Sequence, residues 1–294
     1  MKQPLFSVLI ANYNNGKYLM EAIESVRQQT YTHWEIVLVD DASTDNSQEL
    51  YKDLDKDERI HIYYNEQNMG CGYTKRRCAE LAQGEICGFL DPDDALTKDA
   101  LAIMIDAHAE HPEASLINAT YYIANADLQI LSISSNECQI PSGSSFLENG
   151  RGISVFAAYK KAYYNKTIGI RSDFRRAVDH YLYYLLEEVG NVIYIDKPLY
   201  IYRQNTGNNI SLQENAEKAY FWHLLAMIDA CNRRHLDIES IVYRELKTYI
   251  DDCEDRGYVN GQHKVYQSYS YKVGKKIVQP VKRIRDVVNA ILHK

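Results

Sequence analysis

The sequence predicts an α/β fold, with a mostly parallel central sheet flanked by helices and a helical C-terminal extension. Within the first hundred residues, short apolar segments alternate four times with segments of helical periodicity, which is typical of a parallel sheet covered by helices. Beyond about residue 213 the helical pattern continues without further strand-like segments. We therefore divide the chain into a domain over 1–212, a helical extension over 213–270 and a basic tail over 271–294.

The first predicted strands are short apolar segments bounded by turn-forming residues, and apolar residues recur at helical spacing between them. The turn residues 14–16 follow the first strand, Ser43 can cap the second helix, and Gly84 can end the third. This pattern predicts strands at 5–11, 34–39, 59–64 and 86–90 and helices at 17–29, 46–56 and 72–83.

Less regular elements follow the fourth strand. A predicted helix at 97–110 ends before Pro112, because the residue before a proline disfavours the helical conformation. Residues 134–152 are polar and rich in Gly and Ser, and such long irregular segments are usually functional or mobile. The remaining pattern predicts strands at 115–123, 128–133, 192–195 and 199–202, the first two as a hairpin, and helices at 177–189, 213–234 and 237–255.

The composition argues against several classes of protein. The 294 residues carry a net charge of -7, which argues against general nucleic-acid binding. The six cysteines form no Cys-x-x-Cys pair and no zinc-like spacing with histidine, so we expect reduced cytosolic thiols. The apolar segment 5–11 is too short for a signal peptide, and no segment approaches the roughly 20 apolar residues that span a bilayer. The sequence therefore predicts a cytoplasmic location.

The tail over 271–294 repeats apolar residues at helical spacing among basic ones, with seven Lys or Arg and one Asp from Lys272 onward. A basic amphipathic helix is typical of contact with a membrane surface or of docking to a partner. Two interpretations remain open. The tail lies on the inner face of the cell membrane, where each basic residue gains about 1 kcal/mol from anionic lipid, or it packs on the rest of the protein.

Three carboxylates, Asp91, Asp93 and Asp94, follow the apolar segment 86–90 directly. Carboxylates crowded at the end of a strand repel one another unless a cation compensates. Asp91 and Asp93 stand two residues apart, and oxygen ligands of this kind suit Mg²⁺ or Mn²⁺. Ligands of open α/β sheets bind at the carboxyl ends of the strands. The alternative is a solvated acidic turn that caps the helix beginning near Thr97.

Four ordered segments of the chain resemble the family 2 glycosyltransferases, which have the GT-A fold. The resemblance covers about residues 5–212 and includes the family's DxD motif. The segments are the strand, turn and helix of 7–29 with the strand ending Val39-Asp40-Asp41; Asn68-x-Gly70 with Gly84-Glu85 and Asp91-Pro92-Asp93-Asp94; Ala177-Val178-Asp179; and Pro198-Leu199-Tyr200-Ile201-Tyr202-Arg203.

The resemblance implies that a nucleotide-diphosphate sugar donor lies over the ends of the first, second and fourth strands. At the matched positions, Ala11 and Tyr13 would line the base. Asp41 would accept a hydrogen bond from the base, and Asp91 would approach the ribose. Asp93 would hold the Mn²⁺ or Mg²⁺ that bridges the diphosphate. A cation suits this place, because the leaving diphosphate gains charge in the transition state.

Asp179 matches the family's catalytic base, which removes the proton of the acceptor hydroxyl in an inverting transfer. The alternative is an acid that only stabilises the helix N-terminus. Lys75 would contact the diphosphate or the base, or it is a solvated helix residue. Arg203 would contact the diphosphate, or it only anchors its loop. Two positions depart from the family pattern: Val178 replaces a glutamate, and Asn205 stands where relatives often have histidine.

The resemblance implies an inverting, metal-dependent glycosyltransferase that moves a sugar to a glycan or lipid-linked acceptor hydroxyl in cell-surface polysaccharide or glycolipid synthesis. By family frequency the donor is a UDP-sugar. Because of the two departures, a catalytically silent sugar-nucleotide-binding or scaffolding protein stays open. A third hypothesis, a nucleotidyltransferase, lacks a phosphate loop, since Gly70-Cys71-Gly72 matches no such fingerprint. Asp93 and Asp179 favour the transferase.

Overall fold

The computed structural model describes residues 3–135, 137–149, 153, 155–204 and 215–260, with 252–260 described by their backbone alone. The chain divides into two compact units, Met1–Asn209 and Ile210–Lys294. The predicted boundary at residue 212, Asn205 and the tail over 271–294 lie outside the described residues.

The first half of the sheet has the alternating order that the sequence predicts. Its elements are β1 (Phe6–Asn12), α1 (Gly16–Arg27), β2 (Trp34–Asp40), α2 (Ser47–Leu54), β3 (Ile60–Tyr64), α3 (Cys71–Leu81) and β4 (Ile86–Phe89). β1 pairs in parallel with both β2 and β4, and β3 pairs in parallel with β2. Every residue of β2 is buried, as expected for a parallel sheet with both faces covered.

The second half adds shorter elements and turns the sheet into a mixed one. They are β5 (Ala95–Leu96), α4 (Ala100–Glu110), β6 (Ala114–Ala124), β7 (Ile130–Ile133), β8 (Ala157–Lys160), α5 (Lys161–Tyr164), α6 (Val178–Glu187) and β9 (Asn191–Arg203). Among the described residues the strand order is β3-β2-β1-β4-β8-β6-β9-β5, with β7 beside β6. β8 is antiparallel to β4 and β6, whereas β9 is parallel to β6. The predicted α/β class and the β6–β7 hairpin are confirmed.

Two features differ from the sequence prediction. β5, β8 and α5 were not expected, because elements of two to four residues are too short to show a periodic pattern. The two strands predicted at 192–195 and 199–202 are one strand, β9, which pairs with β6 along its length. Ile195 lies opposite Ala119 and Pro198 opposite Thr120, so the two residues between Ile195 and Pro198 form an irregularity without ending the strand.

The parallel strands bring the ends of β1, β2 and β4 to one edge of the sheet. Asn12, the last residue of β1, lies opposite Asp40, the last residue of β2. The amide of Leu90, just after β4, donates to the carbonyl of Leu9 at 2.9 Å. The carboxylates after β2 and β4 and the residues after β1 therefore meet where ligands of such sheets bind.

The second unit contains α7 (Ala216–Arg234) and α8 (Ile238–Asn260) in its described part. Tyr220 of α7 stacks on Tyr249 of α8 with ring centroids 3.7 Å apart. The hydroxyl of Tyr220 also donates to the carbonyl of Glu245 at 3.1 Å. No helix within the described residues has the length and apolar character needed to cross a membrane.

Candidate active site

The two carboxylates that end β2 are buried and hold the neighbouring loops. Asp40 accepts hydrogen bonds from the Tyr51 hydroxyl at 2.5 Å and from the backbone amide of Ser43 at 2.9 Å. One oxygen of Asp41 accepts from Asn65 Nδ2 at 2.6 Å and from the amide of Met69 at 2.8 Å.

The second oxygen of Asp41 accepts from the amide of Gly70 at 2.8 Å, and Asp41 is only 3% exposed. Asp41 thus fixes the turn that begins α3. Its predicted hydrogen bond to a base would come in addition to these three bonds and stays a prediction.

The three carboxylates after β4 separate into two environments. Asp91 and Asp93 are partly exposed, whereas Asp94 is 1% exposed. Asp94 accepts from the Tyr200 hydroxyl at 2.7 Å and from the amide of Arg203 at 2.7 Å. Burial, followed by the charges of Asp93 and Asp91, raises the pKa of Asp94 well above its ordinary value. Asp94 therefore joins the cluster to β9 and does not cap α4, which begins at Ala100.

Tyr200 also supports Asp91, although the sequence pattern assigned it no role. Its hydroxyl accepts a hydrogen bond from the backbone amide of Asp91 at 3.2 Å while it donates to Asp94. The ring is buried and stacks on Phe156. Burial along β9 does not alternate, since Leu199 and Tyr200 are both buried, so no period-two pattern indicates that Tyr200 faces inward.

Lys75 of α3 is buried, so the interpretation as a solvated helix residue is wrong. Its Nζ lies 2.8 Å from Asp179 Oδ1 and 3.2 Å from Asp91 Oδ1. Burial by itself lowers the pKa of Lys75, but Asp179 and Asp91 outweigh burial and raise this pKa well above its ordinary value. The ammonium therefore stays charged across the neutral range and links Asp179, the candidate base, to Asp91.

Asp179 lies in the first turn of α6, which follows a residue with left-handed backbone, Ala177 at φ 53°. The segment before α6 contacts α3 closely, since the amide of Gly72 donates to the carbonyl of Phe174 at 2.9 Å. A Cβ at Gly72 would lie 2.5 Å from the carbonyl oxygens of Arg171 and Phe174. The missing side chain of Gly72 thus lets α6 bring Asp179 to Lys75.

Arg203 is 1% exposed and binds the back of the carboxylate cluster. Its Nε donates to the carbonyl of Asp93 at 2.6 Å, and its Nη2 donates to Glu21 at 2.7 Å. The guanidinium also lies over the ring of Tyr18, 4.5 Å from the centroid. These contacts are those of an anchor, one of the two roles that the sequence left open, and the predicted contact with a diphosphate stays a prediction.

The predicted base-lining residues lie at the same edge. Ala11 is partly buried in β1, opposite Val39, and Tyr13 follows the strand with 46% of its surface exposed. Tyr64, at the end of β3, is also exposed and was not predicted as part of the site. An exposed aromatic ring can stack on a nucleobase, and the lining role of Ala11 and Tyr13 stays a prediction.

The carboxylates suit a cation that arrives together with a phosphate ligand. Within the described residues, no group of three or more His, Cys, Asp or Glu side chains could hold a metal ion. Mg²⁺ is usually bound through one or two carboxylates together with water and substrate phosphates, and Mn²⁺ also favours oxygen ligands. Asp93, with Asp91 beside it, fits this arrangement and would not form a closed site alone.

Comparisons with known proteins agree on one family. The model described as glycosyl transferase family 2 matches residues 7–168, which is more than half of the chain. Glycosyltransferase GlyG of Streptococcus pneumoniae is 28% identical over 222 residues, which cover 69% of this chain and 72% of GlyG. TuaG of Bacillus subtilis, whose name refers to teichuronic acid biosynthesis, is 41% identical over 100 residues. That match covers 34% of this chain and less than half of TuaG, 40% of its length.

Among solved structures, the fold resembles that of Staphylococcus aureus TarS residues 1–349 in complex with UDP-GlcNAc, with a TM-score of 0.66. The likeness covers 89% of this chain and 77% of the TarS chain at 20% sequence identity. At this identity the likeness shows the shared GT-A type of fold alone.

Proposed function

The chain belongs to glycosyl transferase family 2, and on this basis we propose that it moves a sugar from a nucleotide-diphosphate sugar to an acceptor hydroxyl. The observation that carries the proposal is the pairing of Asp91 and Asp179 with the ammonium of Lys75. Asp91 follows β4, and Asp179 lies in the first turn of α6. In the proposed enzyme, Asp91 on the donor side and Asp179 on the acceptor side would thereby belong to one site.

On the donor side, the residues after β1, β2 and β4 would bind the nucleotide. Ala11 and Tyr13 would line the base, Asp91 would approach the ribose, and Asp93 would hold Mn²⁺ or Mg²⁺. A bound divalent cation would neutralise the charge that develops on the departing diphosphate. The chain's own contribution is the rigid support of this loop by Arg203 and by the bonds that Tyr200 makes to Asp91 and Asp94.

On the acceptor side, Asp179 would accept the proton of the attacking hydroxyl. With the base and the leaving group on opposite faces of the sugar, a single displacement inverts the anomeric centre. The side chain of Asp179 is 40% exposed, so an acceptor can reach it from solvent. Its Oδ1 lies 2.8 Å from Lys75 Nζ, and this ion pair would orient the carboxylate.

For the substrates, we propose a UDP-sugar donor and a cell-surface glycan or lipid-linked acceptor. The support is the name of TuaG, which refers to teichuronic acid biosynthesis, and the complex of TarS with UDP-GlcNAc. The basic tail would contact anionic membrane, where such acceptors are found. Removing residues 271–294 should then lower sedimentation with anionic vesicles, and unchanged sedimentation would exclude this role of the tail.

The central experiment measures nucleoside diphosphate released from a panel of UDP- and GDP-sugars with Mn²⁺, with and without acceptor glycans. We expect release from one donor, stimulation by acceptor, and loss of both in Asp179→Asn with nucleotide binding retained. Nucleotide binding without release or transfer on any donor would support a silent sugar-nucleotide-binding protein instead. Asp173→Asn changes an exposed carboxylate that pairs with Arg171, and it serves as the matched control.

A further inference from the structure

Two carboxylates from distant parts of the chain share one ammonium. Lys75 Nζ lies 3.2 Å from Asp91 Oδ1 and 2.8 Å from Asp179 Oδ1. The two oxygen atoms therefore lie no further apart than the sum of these distances. Among the residues that the structure describes, Lys75 is the only ion-pair partner of either carboxylate. The spacing between the donor side and the candidate base thus depends on this side chain.

The ammonium lies behind the two carboxylates. The side chain of Lys75 is 7% exposed, whereas those of Asp91 and Asp179 are 42% and 40% exposed. The ring of Phe89 contacts the ammonium as well, with Nζ 5.0 Å from its centroid. A ligand that enters from solvent therefore meets the carboxylates before the ammonium. This burial argues against direct contact of Lys75 with the donor, which the sequence suggested.

The orientation of Asp179 has little other support. The residue before α6, Ala177, has a left-handed backbone, and no side chain caps this helix. The nearby thiol of Cys71 does not compete for the ammonium as an anion, because burial raises the pKa of Cys71 to about 12. The pair with Lys75 is the contact that directs the Asp179 carboxylate toward Asp91.

We propose that Lys75 is a positioning residue, whose ammonium fixes the carboxylate of Asp179 relative to Asp91 without contacting the donor. The inference rests on the proposed function. Without the ammonium the Asp179 carboxylate moves away from Asp91, because like charges at short range disfavour each other. Asp91 keeps its place, since Tyr200 and Arg203 hold its loop. A misplacement of about 1 Å in a catalytic group can cost roughly 100-fold in rate.

The test compares Lys75→Met, which keeps the length but not the charge, with Lys75→Arg, which keeps the charge. For Lys75→Met we expect kcat to fall about 100-fold. The donor KM and the calorimetric Kd for UDP with Mn²⁺ should stay within about threefold, since the nucleotide does not touch Lys75. Lys75→Arg should recover part of kcat. The control is Lys160→Met, which removes an ammonium bound to the carbonyls of His111 and Pro112 and should leave kcat unchanged.

The outcomes separate this inference from the proposed function. If the wild-type protein releases no nucleoside diphosphate from any donor, the proposed function is wrong and the inference fails with it. If the wild-type protein is active and Lys75→Met raises the donor KM and the UDP Kd at unchanged kcat, only the inference fails, and Lys75 contacts the donor. If Lys75→Met does not fold, Lys75→Arg decides, because a donor contact predicts a changed UDP Kd and a positioning role predicts a changed kcat alone.

Discussion

The guanidinium of Arg203 donates from Nε to the backbone carbonyl of Asp93 at 2.6 Å, and so supports the candidate metal ligand from behind. Arg203 is the last residue of β9, and its backbone amide also donates to Asp94. The end of β9 therefore fixes the loop that follows β4. The conformation of residues 91–94 thus depends on β9 as well as on β4, the strand before them.

Replacing Arg203 with methionine should lower the free energy of unfolding by about 3 kcal/mol, because the partly buried carbonyls of Asp93 and Ala126 lose their donor and the fully buried side chain loses its polar contacts. The donor KM should rise, since the loop that presents Asp93 loses its anchor. Urea unfolding and donor kinetics measure both effects. Lys56→Met, which breaks an exposed pair with Asp53, should leave the free energy of unfolding almost unchanged. Equal losses in the two variants would contradict an anchoring role.

Asp93→Asn should remove most of the effect of Mn²⁺ on nucleotide binding, because an amide is a weaker ligand of a hard cation than a carboxylate. Calorimetric titration of UDP with and without Mn²⁺ gives the comparison. We expect the wild-type protein to bind UDP at least about tenfold more tightly with Mn²⁺, a gain of about 1.4 kcal/mol. The exposed Asp53→Asn is the control. A metal effect of the same size in Asp93→Asn would exclude this ligand.

Asp41→Asn should destabilise the first unit by about 2 kcal/mol, since the amides of Met69 and Gly70 lose a charged acceptor. If Asp41 also contacts the base, the ratio of UDP to GDP affinity should change along with stability. Measuring both affinities by calorimetry tests the predicted base contact. A lower stability with an unchanged affinity ratio would leave Asp41 with a structural role only.

Gly72→Ala should push the segment 171–174 away from α3, because a Cβ would lie 2.5 Å from two carbonyl oxygens. We expect a loss of about 2 kcal/mol in stability and a lower kcat, since this segment leads to Asp179. Gly143→Ala is the matched control. Its Cβ meets nothing within 4 Å, and its φ of +81° costs only about 1 kcal/mol. A kcat unaffected by Gly72→Ala would show that α6 keeps its place without this close contact.

The buried His108 makes stability depend on pH. Burial lowers its pKa from the ordinary 6.5 to about 4, and its Nδ1 has no hydrogen-bond partner. In the folded protein His108 resists protonation. Its contribution to the free energy of unfolding is therefore fully present above pH 6.5 and is lost as the pH falls toward 4. Between pH 7.5 and pH 5 the loss should be about 2 kcal/mol.

Urea unfolding of the wild-type protein and of His108→Gln at both pH values isolates this contribution. Glutamine can keep the hydrogen bond that the ring makes to the carbonyl of Ala158 and does not titrate. The variant should therefore show a smaller loss on acidification. The same pH dependence in both proteins would assign the effect to other groups.

The sequence predicted the regular part of the fold well because its signals are local. The apolar segments of β1, β2 and β4 and the helices between them show their periodicity within a few residues. β8 lacked such a signal, since its four residues become a strand only between β4 and β6. The continuity of β9 likewise depends on its pairing with β6, which lies far away in the chain, so no local pattern in β9 indicates it.

From the amino-acid sequence alone we predicted the parallel βα order, the acidic ends of two strands and the family resemblance. Only the tertiary structure showed that Lys75 is buried between Asp91 and Asp179, and that Asp94 and Arg203 bind each other's segments. The physical reason is distance along the chain. Lys75 and Asp179 are 104 residues apart, and local periodicity does not encode which side chains meet when α3, α6 and β9 pack against one sheet.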